Sequence, residues 1–231
     1  MNRKEDTLSH QGPAQHSRSR LRPTDADLFD SSTLFGQIGA QLCAADCLPR
    51  KELYESWAFA RRALRRLKGG RVFDLAGGHG LVGWLMAIQD RTTTEVFVVD
   101  QRLPPSAHRL HEALAERWPG LGARIHKIEG HLGACAVSSE DRVVAVHACG
   151  ALTDRVLDLA IGAGASVGVM PCCHAKAKTD AGGLTGWLDH DVAVDVVRAQ
   201  RLREAGYRAW TAVIDPAITP MNRVLLGCKE A

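Results

Sequence analysis

No stretch of this sequence comes near the roughly 18 consecutive apolar residues that a bilayer-crossing helix needs. Its first twenty residues, MNRKEDTLSHQGPAQHSRSR, also lack the apolar centre of a secretory leader. These absences set aside a membrane span and point to a reducing, cytoplasmic setting, where the seven cysteines are expected as free thiols. A strong charge of either sign is missing too: a formal net charge of +3 permits a nucleic-acid partner without demanding one. No internal repeat is present. What remains is an ordinary globular composition, 45% hydrophobic and 24% charged over 231 residues. That length suits one α/β domain with a short extension.

Residues 1–24 are polar, carry Pro13 and Pro23 and show no apolar period, so a disordered basic tail is expected there. Apolar residues return from Asp25, and residues 25–70 are expected to form an N-terminal helical cap. Within it Leu53, Trp57, Ala60, Leu64 and Leu67 recur at helical spacing over 51–67. Arg61, Arg62, Arg65 and Arg66 fall on the other side, as a solvated face or a phosphate-binding row. Gly69 and Gly70 end the helix.

Residues 71–231 alternate short valine-rich runs with helical stretches. The strands expected are 71–76, 95–100, 123–128, 142–147, 166–171, 208–214 and 223–229, with helices near 80–90, 106–118, 153–162 and 187–205. Five βα units in succession imply a parallel sheet with right-handed crossovers. Asp215, Pro216 and Pro220 interrupt the last connection, so the final two strands are expected to pair antiparallel. The fold class is therefore α/β: a Rossmann-like, doubly wound sheet of seven strands, mostly parallel, closed by a C-terminal hairpin.

Residues 73–83 read FDLAGGHGLVG and satisfy two cofactor templates. Gly78, Gly80 and Gly83 spell the G-x-G-x-x-G of dinucleotide sites. Asp74, Ala76, Gly78 and Gly80 spell the acid-x-small-x-G-x-G loop that binds S-adenosylmethionine (SAM). Glycines let either ligand approach the backbone, and the following helix offers unpaired N–H groups. The carboxylate separates the templates. A pyrophosphate 4 Å from Asp74 would be opposed by about 4 kcal/mol at an effective dielectric of 20. The ammonium and sulfonium of SAM would be attracted. The expected SAM site comprises Asp74, Ala76, Gly77, Gly78 and Gly80. Asp100 and Gln101 after the second strand join it at the ribose, and His131 and Leu132 after the third at the adenine.

The fourth strand ends in HACG (147–150) and the fifth in PCCH (171–174). Ligands of open α/β sheets bind beyond the carboxyl ends of strands, so His147, Cys149, Cys172, Cys173 and His174 are expected at one rim. His147, Cys172, Cys173 and His174 are the candidate catalytic set. An imidazole suits proton removal from a hydroxyl or amine; a thiolate suits addition to a pyrimidine ring; buried thiols also serve as plain packing. Zinc ligation is chemically open, but adjacent cysteines diverge, and no metal site is expected. Cys43, Cys47, Cys135 and Cys228 read as packing residues, as does Trp187. Lys51 and Glu55 are placed to reach over the glycine loop, and acids at 189–191 suit a helix N-terminus.

DLAGGHG, HACG followed by Thr153 and Asp154, PCCH and the near-terminal TPMNRVLL (219–226) together resemble a family of class I SAM-dependent methyltransferases. That family includes the tRNA ribose 2′-O-methyltransferases with a CCHH motif and several methyltransferase-like proteins. The resemblance spans roughly residues 50–229. It implies SAM as cofactor and favours RNA, tRNA or rRNA, as methyl acceptor, with a small molecule or a protein as alternatives. Ala175 stands where the tRNA enzymes carry a second histidine, and their Cys/His zinc finger is absent. A catalytically silent scaffold with this fold is the competing reading from another class.

Overall fold

A computed structural model describes residues 15–174 and 179–229. Chain order is a 3-10 turn at Pro23–Leu28, then α1 (Leu34–Ala45), α2 (Arg50–Ala63), β1 (Gly70–Leu75), α3 (Leu81–Gln89), β2 (Thr93–Asp100), α4 (Ser106–Arg117) and the single turn α5 (Pro119–Gly122). There follow β3 (Ile125–Glu129), β4 (Arg142–Val146), α6 (Ala151–Ala163), β5 (Ser166–Met170), α7 (His190–Glu204), β6 (Tyr207–Val213) and β7 (Arg223–Lys229). The seven strands form one sheet in the order β3-β2-β1-β4-β5-β7-β6, parallel except where β7 runs against β5 and β6. The expected fold class is the one observed. Strand order reverses between β1 and β4, which leaves a crevice beyond their carboxyl ends.

Alternation along the strands feeds two cores. Val72, Val96, Val98, Val144 and Ile125 turn toward one helical layer containing α1 to α4, with Phe59 and Trp84 among its buried residues. Phe73, Leu75, Val143, Val167 and Val169 face the other, where α6 and α7 pack. At about 25 cal/mol per Å² of apolar surface, each fully covered valine or leucine contributes roughly 1.5–3 kcal/mol. At the base of the sheet Arg142 is buried and held through both terminal nitrogens: it donates to Asp90 (3.0 Å), the Thr93 hydroxyl (2.9 Å) and the carbonyls of Leu67 and Gly70. The aspartate neutralises its charge, and the hydroxyl and carbonyls occupy the terminal N–H groups, while the buried Nε has no partner.

The structure departs from the sequence reading in three places. Residues 1–14 of the expected tail lie outside the described residues, whereas the stretch that follows is ordered. Leu21 is fully buried, its N–H donates to the Leu48 carbonyl, and Ser17 and Ser19 accept from Lys51 and Arg50. One buried leucine on a backbone ladder suffices to dock a polar segment that shows no apolar period. Second, β3 and β4 are joined through only a short 3-10 turn, Leu132–Ala134, so that unit has no α-helix among its described residues. Over β2 and β3 the uncovered face is closed by a ladder of Phe73, Phe97 and His126, with rings stacked 5.0 Å apart. Third, Trp187 is 89% exposed rather than core, because it sits in the loop before α7. Among the described residues no helix is long and apolar enough to cross a membrane.

Candidate active site

The turn from β1 into α3 holds Ala76, Gly78 and Gly80 at φ of 52°, 52° and 79°. Its glycines divide by task. A Cβ on Gly77 would lie 2.8 Å from the Asp74 carbonyl, one on Gly80 2.7 Å from Val98, and one on Gly83 2.5 Å from Val96. Those three let α3 settle on the sheet. Gly78 alone faces open space, with no atom within 4 Å of where its side chain would stand. The Gly78 N–H donates to Asp100 (3.0 Å), which fixes the loop against the end of β2.

Asp74 lies inside the end of β1, beneath the loop. Its carboxylate is 1% exposed and accepts from the Gly83 N–H (2.9 Å), one of the unpaired donors in the first turn of α3. Burial pushes its pKa up to about 7; the Gly83 N–H opposes this and the charge on Asp100 adds to it. The group therefore acts from behind the loop, as an anchor and a through-space charge. Gln101 and His131 are exposed, while Leu132 is half-buried at the start of the 3-10 turn after β3.

Helix α2 crosses this crevice and grips it with two acids one turn apart. Glu52 meets His79 of the glycine loop (3.2 Å), and Glu55 meets Nε2 of His147 at the end of β4 (3.0 Å). Glu55 is buried, paired with Lys51 at 3.1 Å and bonded by the Thr219 hydroxyl. Burial opposes its charge, but the hydrogen bonds from His147, Thr219 and Lys51 outweigh it and hold the carboxyl below its ordinary value. His147 sits at φ 66°, a left-handed conformation that costs a non-glycine residue energy. Its side chain remains 36% exposed.

His174 takes another course. Its side chain is fully buried, with Nε2 2.8 Å from Asp195 and Nδ1 3.7 Å from Asp191, both on α7. Asp195 also receives Arg223 (2.7 Å) and Arg198 (3.2 Å), while Arg198 reaches Asp154 (2.8 Å) and the Gly150 carbonyl (3.0 Å). Burial raises the pKa of Asp195, but His174 and Arg223 prevail and lower it. This network ties the ends of β4 and β5 to α7, with the His174 ring enclosed between them. Sequence reading passes over Asp195 and Arg198, and it places Glu55 over the glycine loop without its partner His147; polar side chains on otherwise packed helix faces are the signal for them.

The thiols of Cys149, Cys172 and Cys173 converge: Cys149 Sγ lies 2.8 Å from Cys172 Sγ, which lies 3.5 Å from Cys173 Sγ. Burial and its two thiol neighbours push the Cys172 pKa well up. Cys43 and Cys47 are buried packing residues, with desolvation raising both to about 11. Ala175 lies outside the described residues. A separate cavity of about 560 Å³ lies between α7 and the β6–β7 hairpin, away from the glycine loop.

The near-terminal TPMNRVLL acquires a physical meaning from these contacts. Thr219 bonds Glu55, Asn222 donates to the Ile214 carbonyl across the hairpin (3.1 Å), and Arg223 pairs with Asp195.

A family of methyltransferase domains matches residues 50–180. The chain belongs to that family. The match begins at α2 and takes in the glycine loop, Asp100, His147 and the three converging thiols. Solved structures of low identity share the fold. An O-methyltransferase family protein from Burkholderia thailandensis aligns at TM-score 0.52 and 17% identity over 88% of this chain and 64% of its own. A putative O-methyltransferase from Nostoc punctiforme aligns at TM-score 0.50 and 16% identity, over 84% and 60%. A ribosomal protein L11 methylase from Lactobacillus delbrueckii subsp. bulgaricus aligns at TM-score 0.50 and 13% identity, over 79% of each chain. The methyltransferase domain thus spans less than two thirds of the length of the two O-methyltransferases. No curated protein sequence matches significantly.

The cofactor that family and fold imply is SAM, and the residues present fit it. Open space beyond Gly78, the Asp100 carboxylate at the crevice edge and Asp74 behind the loop make an acidic cradle suited to a cationic ligand.

Proposed function

We propose that this domain transfers the methyl group of SAM to RNA bound beyond β4 and β5, with His147 as the base. The glycine loop would hold the cofactor together with Asp100, Gln101, His131 and Leu132. Bound there, SAM supplies an electrophilic methyl group on a positively charged sulfur.

The observation that carries the reading is the Glu55–His147 pair. A carboxylate only accepts hydrogen bonds, so Nε2 of His147 holds the ring proton and Nδ1 keeps its lone pair. That atom takes the proton of an acceptor hydroxyl or amine, and the buried Glu55 carboxylate stabilises the imidazolium that forms. Asp195, through His174 and Arg198, keeps the two strand ends in register. Cys172 and Cys173 line the same rim.

RNA is favoured by the resemblance to the tRNA ribose 2′-O-methyltransferases and by the arginines on the outer side of α2, the helix that carries Glu55, and in the turn that follows it. Arg61, Arg65 and Arg66 are exposed, and the Arg66 guanidinium lies 4.8 Å above the Trp210 ring. A charged and stacked surface of this kind suits a phosphodiester backbone.

The test has two stages. Calorimetric titration with SAM, S-adenosylhomocysteine and NAD should show binding of the first two only; affinity for NAD alone overturns the cofactor. Radiolabelled SAM with fractionated cell extract should then label RNA. Label in the protein or metabolite fraction overturns RNA as acceptor. Cofactor binding without label in any fraction identifies a silent scaffold.

A further inference from the structure

We infer that Cys149, Cys172 and Cys173 form a three-thiolate site for a soft divalent cation, zinc(II), at the carboxyl rim of β4 and β5. Their three sulfurs all lie within 4.8 Å of one another, the closest pairs at 2.8 and 3.5 Å. Four-coordinate zinc with sulfur bonds of about 2.3 Å sets its ligands roughly 3.8 Å apart. The two closest separations fall short of that value and none exceeds 4.8 Å, so side-chain turns of about 1 Å seat all three around one ion.

Adjacent cysteines converge here because β5 ends at Met170. Pro171 to His174 leave the pleat, and the alternation that would send neighbouring side chains to opposite faces no longer applies. The backbone already joins the two ligand-bearing segments. The Gly150 N–H donates to the Cys173 carbonyl (2.9 Å) and the His147 N–H to the Met170 carbonyl (3.2 Å). Cys149 immediately precedes the capping residue of the 13-residue helix α6. Cys149 and Cys173 are exposed, which gives an ion a path of entry.

Both histidines of the rim are held elsewhere, His147 by Glu55 and His174 by Asp195. The ligand set is therefore sulfur only, a donor set that selects zinc or copper(I) over harder ions. Three protein ligands leave a four-coordinate ion one position for water or an acceptor atom. Zinc binding and methyl transfer are measured separately, so failure of either leaves the other standing.

The full chain, reduced and stripped of metal, should take up one zinc per molecule and hold it against a weak chelator. Cobalt(II) in its place should show thiolate-to-cobalt charge-transfer absorption. Cys149→Ser, Cys172→Ser and Cys173→Ser should each lower zinc affinity by more than about 100-fold and abolish that absorption. Cys135→Ser and Cys228→Ser should leave both unchanged. Thermal melts of the metal-free proteins check that each variant is folded. No zinc retained by the reduced wild-type chain overturns the site, as does unaltered affinity in the three variants. A Cys149–Cys172 disulfide in place of zinc uptake, mapped by mass spectrometry, also overturns it.

Discussion

Replacing Asp74 with asparagine separates the two tasks of that carboxylate. The amide oxygen still accepts from the Gly83 N–H, so the anchor under α3 survives, while the charge is lost. In the folded wild type the pKa stands at about 7, against 3.8 for the free side chain. The folded state thus binds the proton more tightly than the unfolded state. Stability is fullest below pH 3.8, falls as pH rises, and has lost this contribution once pH passes about 7. At about 1.4 kcal/mol per tenfold change in proton affinity, the full loss is about 4 kcal/mol. Urea unfolding of both proteins from pH 4 to pH 8 measures it. The asparagine variant should gain on the wild type by up to about 4 kcal/mol across that range. The offset at low pH reports the unpaired N–H of the amide, about 1–3 kcal/mol. All other titrating groups are common to the two proteins and cancel in the difference. Parallel profiles would refute the claim that Asp74 is a charge held in a dry place.

A cationic cofactor beside the loop draws the Asp74 proton off, so SAM affinity should rise severalfold from pH 6 to pH 8 in the wild type and stay level in Asp74→Asn, read by calorimetry. Glu55→Gln removes the charge that stabilises the His147 imidazolium and should reduce methyl transfer at least about 10-fold, with SAM affinity little changed; equal loss of both would reassign Glu55 to cofactor binding. Asp195→Ala strands the buried His174 and takes one of two carboxylates from Arg198, and should cost about 3–5 kcal/mol in denaturant unfolding. Gly80→Ala meets Val98 at a backbone angle unsuited to alanine, and should lose about 2–4 kcal/mol together with SAM binding.

The strands were legible because each is a short apolar run fenced by glycine, proline or charge, and a two-faced parallel sheet needs such runs. The helix-free step from β3 to β4 was harder to read, since LGACAVSSE carries neither a helical stripe nor a strong breaker. At the site the glycine loop and the thiol-bearing strand ends were legible as motifs. Their wiring was not. Glu55 and His147 are 92 residues apart, and Arg198 and Asp154 are 44 apart. Only the packing of α2 and α7 on the sheet creates those neighbours.

The thin roof over β3 has a dynamic consequence. This five-residue edge strand buries only Ile125, and on its bare side it leans on stacked rings instead of a helix. Its amides should exchange with solvent sooner than those of β1 or β4, through openings that leave the centre of the sheet intact. Yet its far end is stitched to the crevice, the Gly130 N–H to the Asp100 carbonyl and the Leu103 N–H to Glu129. A nucleoside lodged against Asp100 would tighten the loosest rung of the ladder, and deuterium uptake would slow there first.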